Sequence, residues 1–122
     1  MGRVMVADDS DAVRMVLKDI LEIGHHTMVA EATNGIDAVE KFNTIKPDLL
    51  LLDLAMPKQD GLDVVKQIMA TNPNAKIVMI TASDNIKTMQ ECLKAGALAY
   101  VLKPFDFEQV LQIISKALDK RL

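Results

Sequence analysis

The chain has 122 residues and a formal net charge of −3, with half of its residues apolar and a quarter charged. This is the length of one domain with a real core, and ordinary globular usage. It excludes a basic field for nucleic acid or anionic lipid, a disulfide framework (Cys92 is the single cysteine) and any apolar run near the ~20 residues of a membrane span.

A lone cysteine suits a reducing cytoplasm. A strand-like run begins at Arg3, which leaves no room for a signal peptide ahead of it. Arg3 to Ala7 reads as a short buried strand running into Asp8 and Asp9. A helix follows from about Asp11, with Val13, Val16, Leu17, Ile20 and Leu21 on one apolar stripe. Arg14, Lys18, Asp19 and Glu22 take the other face, and Gly24 stops the helix. Thr27 to Ala32 is a second strand. Asn34-Gly35 turns into a second helix with Val39 and Phe42 inward.

Leu49-Leu50-Leu51-Leu52 is an apolar run bounded by Pro47-Asp48 and Met56-Pro57. It fits a strand buried on both faces, with Asp53 at its carboxyl end. Asp60-Gly61 opens a third helix with Leu62, Val65, Ile68 and Met69 inward; it stops before Pro73, because the residue preceding a proline disfavours helix. Ala75 to Thr81 is the fourth strand. Asp84 to Ala95 is a helix with Ile86, Met89 and Leu93 on its inner stripe, ended by Gly96. Ala99 to Leu102 is a short fifth strand broken by Lys103-Pro104. Asp106 then caps a last helix, with Gln109 three residues on and Phe105 stapling against Val110. Its core stripe is Phe107, Val110, Leu111, Ile114 and Leu118. Strict alternation of strand and helix implies a parallel sheet covered on both faces; the pattern alone leaves the strand order open.

The chemistry lies at the strand ends. Asp8-Asp9, Asp53, Thr81 and Lys103 each end or follow a strand, so a parallel sheet brings them to one edge, where ligands collect. Three carboxylates there raise one another's cost of ionising. A divalent cation resolves this, and Mg²⁺ prefers hard oxygen ligands while keeping several waters. The set reads as a Mg²⁺ site poised for a phosphoryl group. Lys103 would pair with phosphoryl oxygens, Thr81 would donate a hydrogen bond, and Asp53 would be the nucleophile, giving an aspartyl phosphate.

Taken singly, each residue has a plainer reading. Asp8-Asp9 suits a helix N-terminus, Asp53 a turn, and Lys103 a solvated surface; their joint placement favours the site. His25-His26 reads as a surface turn and not a metal pair. Cys92 reads as a small helix residue without a basic neighbour to activate it. Met15 lies off the inner stripe, as a stray surface residue or a kinase contact.

At these residues the chain resembles the receiver domain of two-component response regulators, in its single-domain, CheY-like form. The matching motifs are Val-Ala-Asp8-Asp9-Ser10, the leucine run into Asp53-Leu-Ala-Met56-Pro57, Asp60-Gly61, Ile-Thr81-Ala82 and Tyr100-Val-Leu-Lys103-Pro104-Phe105. The resemblance implies one receiver domain over residues 1–122: an α/β, flavodoxin-like doubly wound sheet of order 2-1-3-4-5. It implies that Asp53 takes a phosphoryl group from a histidine kinase or histidine phosphotransfer protein. Asp9, Asp53 and the Ala55 backbone carbonyl would ligate Mg²⁺, with Asp8 acting through water. The Lys103-Pro104 bond would be cis, an isomer that proline tolerates. Thr81 and Tyr100 would be a switch pair, altering the face of fourth helix, fifth strand and fifth helix for a downstream target protein. Ala55 and Ser83 flank the water path to the phosphoryl group and would tune its hydrolysis. The expected molecule is a cytoplasmic monomer that binds neither nucleic acid nor membrane and turns over no external substrate. The alternatives are an unphosphorylated interaction module or the receiver fragment of a larger DNA-binding regulator. A dehalogenase-type phosphatase wants an acid where Ala55 stands, and a flavodoxin wants a phosphate loop where Asp8-Asp9-Ser10-Asp11 would repel one.

Overall fold

The computed structural model describes residues 2–119. Five strands, β1 (Arg3–Ala7), β2 (Thr27–Ala32), β3 (Leu49–Leu52), β4 (Ile77–Thr81) and β5 (Ala99–Leu102), alternate with five helices. These are α1 (Asp11–Ile23), α2 (Gly35–Ile45), α3 (Gly61–Thr71), α4 (Ile86–Ala95) and α5 (Phe107–Leu118). The strands form one parallel sheet in the order β2-β1-β3-β4-β5.

Strand side chains alternate between faces, and this divides the core in two. Met5, Ala7, Leu50, Leu52, Ile77 and Met79 point to the face covered by α2, α3 and α4. Val4, Val6, Leu49, Leu51, Val78, Ile80 and Val101 point to the face covered by α1 and α5. All four leucines of β3 are buried, because the central strand has helices on both sides.

Short polar side chains start each helix. Ser10, Asn34, Asp60 and Asn85 each accept the backbone N–H three residues on. Asp106 is also an N-cap, but its carboxylate takes Glu108 N–H and not Gln109 N–H.

Several sequence expectations need correction. β4 begins at Ile77, two residues later than the apolar run suggests, because Ala75 N–H closes a turn on the Asn72 carbonyl. α4 starts at Ile86, after the Asn85 cap, and not at Asp84. Its buried residues are Met89 and Cys92; Ile86 and Leu93 stand on the exposed side of the stripe. Val16 of α1 and Phe107 of α5 are likewise exposed. These helices bury only the middle of an apolar stripe, so residues at its margins reach solvent. Gly24 is not left-handed (φ −81°); His25 takes that conformation, with φ 63°. Gly24 instead serves a close approach, since a Cβ there would lie 2.7 Å from a Leu111 methyl. No helix among the described residues is long and apolar enough to cross a membrane.

Candidate functional site

The backbone locks the strand ends together beyond the regular ladders. Asp8 N–H donates to the Ala32 carbonyl (3.0 Å), Asp53 N–H to Ala7 (2.9 Å) and Lys103 N–H to Thr81 (2.8 Å). The sheet order makes β1 and β3 neighbours, and strand order reverses there. Ligands in open α/β sheets bind in the crevice outside that point.

Gly61 lets the loop after Asp53 close tightly. Its N–H donates to the Leu54 carbonyl at 2.7 Å. A Cβ at residue 61 would lie 2.6 Å from Leu54 Cα and 2.8 Å from the Asp53 carbonyl oxygen. Both atoms are backbone, so neither has a side-chain rotamer by which to escape.

The acids gather as the sequence suggests. Asp8, Asp9 and Asp53 each offer a carboxylate oxygen within 4.8 Å of the others. Asp8 and Asp53 are buried, and Asp9 is exposed. Lys103 Nζ donates to Asp8 Oδ2 at 2.7 Å and to Asp53 Oδ2 at 3.4 Å. Its closer partner is therefore Asp8. Asp8 Oδ1 accepts Ser10 N–H at 2.9 Å, and Asp53 Oδ1 accepts Ala55 N–H at 3.4 Å.

Burial pushes the Asp53 carboxyl above the usual carboxylate range, and the Asp8 charge adds to this. Lys103, the Thr81 hydroxyl and the Ala55 N–H pull it partly back. Lys103 itself is raised: burial disfavours its charge, but its bonds to Asp8 and its proximity to Asp53 outweigh that. Three acids against one lysine leave excess negative charge in a half-enclosed place, and a hard cation with oxygen preference fits that donor set.

Thr81 is fully buried at the end of β4, and its Oγ1 accepts Ser83 N–H at 3.2 Å. Tyr100 pairs with Met79 across β5 and β4 and is 37% exposed. The Lys103–Pro104 peptide is cis. Ala55 is exposed beside Asp53 and Ser83 half-buried beyond Thr81. The surface clefts around Asn74, Ala75 and Lys76 lie at the opposite, amino-terminal edge of the sheet.

Outside the site, Cys92 is buried, and desolvation raises its thiol pKa. Met15 is exposed on α1. His26 is more than a surface-turn residue, for its Nδ1 accepts Gly2 N–H at 3.1 Å.

One residue escapes the sequence reading. Arg14, assigned there to the solvent face of α1, folds back onto the loop that carries the acids. It donates to the Asp8 carbonyl oxygen at 2.7 Å, to Glu31 Oε1 at 3.0 Å and to Asp11. Its spacing of three from Asp11, an i,i+3 pair of opposite charge, is a local signal.

Residues 4–115 match the response regulator receiver domain family. The chain is 40% identical over 114 residues to the chemotaxis protein CheY of Thermotoga maritima, covering 93% of this chain and 95% of that one. It is 38% identical to CheY of Bacillus subtilis over 117 residues, 96% and 98% of the two chains. Among solved structures it resembles a chain of the CheX-CheY-BeF3-Mg+2 complex from Borrelia burgdorferi. The TM-score is 0.90 and the identity 31%, over 93% of this chain and 87% of that one. The chain belongs to the response regulator receiver domain family, in its CheY-like form, and so to two-component signalling.

Proposed function

We propose that the chain is a single receiver domain whose Asp53 accepts a phosphoryl group from the phosphohistidine of a histidine kinase or phosphotransfer protein, with Mg²⁺ at the acidic cluster. The observation that carries this reading is the meeting of Asp8, Asp9 and Asp53 around one lysine at the carboxyl edge of the sheet. Two oxygens of Asp8 are already engaged, by Lys103 and Ser10 N–H, whereas Asp9 is exposed. The Asp53 oxygens have only longer contacts, 3.4 Å each to Lys103 and Ala55 N–H, so Asp9 and Asp53 suit direct ligation and Asp8 contact through water; the Ala55 carbonyl completes the set that the family likeness implies. Mg²⁺ bound there supplies the positive charge that offsets the crowded carboxylates and the incoming phosphoryl oxygens.

The chain's own groups do the rest. An Asp53 carboxylate oxygen attacks phosphorus. The new P–O bond forms as the P–N bond breaks, and the donor imidazole leaves with the electron pair and takes up a proton. Lys103 Nζ, already within 3.4 Å of Asp53 Oδ2, pairs with a phosphoryl oxygen, and the Thr81 hydroxyl donates to another. Release of Thr81 from its Ser83 contact leaves room behind it, into which Tyr100 turns. The readout face is α4, β5 and α5, where Ile86, Tyr100, Leu102 and Phe107 are exposed for a target protein. The CheY relative solved with CheX, BeF3 and Mg+2 supports both the metal and the use of a protein partner. The molecule acts on its own aspartate and turns over no external substrate; its single buried thiol suits the cytoplasm.

Incubation with Mg²⁺ and a small acyl phosphate, read by intact mass, tests the reading. One added phosphoryl mass is expected, absent with EDTA and absent in Asp53→Asn. An unchanged mass with Mg²⁺ present, or steady hydrolysis of phosphate esters, would overturn it.

A further inference from the structure

Asp9 is the exposed acid of the cluster, and among the described residues no side chain bonds its carboxylate. Its aim must come from the backbone. The peptide joining Asp8 to Asp9 is a rigid plane, so whatever holds the Asp8 carbonyl also fixes where the Asp9 Cα sits, the point from which its side chain springs. Arg14 Nη1 holds that carbonyl at 2.7 Å.

The guanidinium is itself fixed. Its Nε donates to Glu31 Oε1 at 3.0 Å, and its Nη2 bonds Asp11 at the start of α1. The Arg14 side chain is only 11% exposed, unlike a solvated helix-face arginine. Glu31 belongs to β2, and its carbonyl accepts Lys41 Nζ at 2.6 Å. A planar fork spreads its donors over three nitrogens in fixed directions and so ties three separated points at once; the three donors of an ammonium radiate from one nitrogen and do not span them.

We infer that Arg14 is the positioning residue of the metal site: tied to Glu31 and Asp11, it holds the Asp8–Asp9 peptide in place, and with it the backbone from which Asp9 reaches the ion. This rests on the Mg²⁺ reading proposed above. Charge and position make opposite demands here. Arg14 is a cation beside a cation site, so by Coulomb's law alone its removal tightens Mg²⁺ binding. If it positions a ligand, its removal weakens binding, by about 10-fold or more, as is usual when the groups orienting metal ligands are lost.

Titration of the unphosphorylated protein with Mg²⁺ alone, by calorimetry, decides between them, alongside thermal melting in EDTA. Arg14→Met should bind Mg²⁺ about 10-fold more weakly than wild type. Arg14→Lys, which keeps the charge, should not restore the affinity. Wild-type Mg²⁺ affinity, or tighter binding, in Arg14→Met overturns the inference, including where that variant melts lower in EDTA and is thus only less stable. Should Arg14→Met show no cooperative melt, Arg14→Lys decides, and wild-type affinity in that variant overturns the inference. A wild-type protein that takes up no Mg²⁺ sinks the metal reading itself, and the inference with it.

Discussion

Lys103 serves two masters in the resting site. It is a bonded partner of Asp8 and a longer contact of Asp53, so it steadies both acids. Replacing it by Met should slow phosphoryl uptake by about 100-fold, the scale seen when one preorganised charge-stabilising donor is removed; a time course of intact mass would measure this, and a wild-type rate would refute it. Far from the site, burial holds the His26 imidazole below its ordinary pKa, and Nδ1 must stay unprotonated to accept Gly2 N–H. The unfolded chain therefore binds a proton in a window where the folded chain does not, so stability is full above about pH 6.5 and falls as pH drops through the folded value. His26→Asn should flatten that slope between pH 7.5 and 5.5 in thermal melts. Identical slopes would mean that His26 titrates as it does in the open chain. The acids and Lys103 were legible in the sequence because each stands next to a strand end, and strand ends of a parallel sheet share an edge. Arg14 was not. Its decisive partners are a main-chain carbonyl, which leaves no mark on side-chain patterning, and Glu31, seventeen residues away on another strand.

At the scale of elements, apolar periodicity located every helix and strand but set some faces wrongly. The stripe of α4 contains Ile86, Met89, Cys92 and Leu93, and periodicity cannot say which of its edges meets the sheet. Packing against α3 selects Met89 and Cys92, leaving Ile86 and Leu93 to the surface. The start of β4 was misjudged for a related reason: Ala75 is apolar enough to extend the strand, but its N–H closes a turn. The join between β3 and α3 is less tolerant. Gly61→Ala would push a methyl into backbone on two sides, so it should cost about 1–3 kcal/mol of stability in urea unfolding. It should also displace the chain that follows Asp53 and slow phosphoryl uptake. A fully stable, fully active Gly61→Ala protein would show that this loop has slack.

For the whole molecule, alternation of strand and helix predicted a parallel sheet with both faces covered, and the two-faced core follows from strand parity. The strand order was a different matter. It depends on the direction of each crossover, which no local pattern records; the resemblance to receiver domains supplied it, and the sheet has that order. This order places β1 beside β3, and so Asp8 and Asp9 beside Asp53. The architecture thus concentrates negative charge at one rim. The most direct test asks which atom carries the phosphoryl group. After incubation with Mg²⁺ and an acyl phosphate, borohydride converts an aspartyl phosphate to homoserine, which peptide mass spectrometry places in the chain. We predict homoserine at residue 53 and at no other aspartate. Homoserine at Asp8 or Asp9, or none in protein that has gained a phosphoryl mass, would contradict the account.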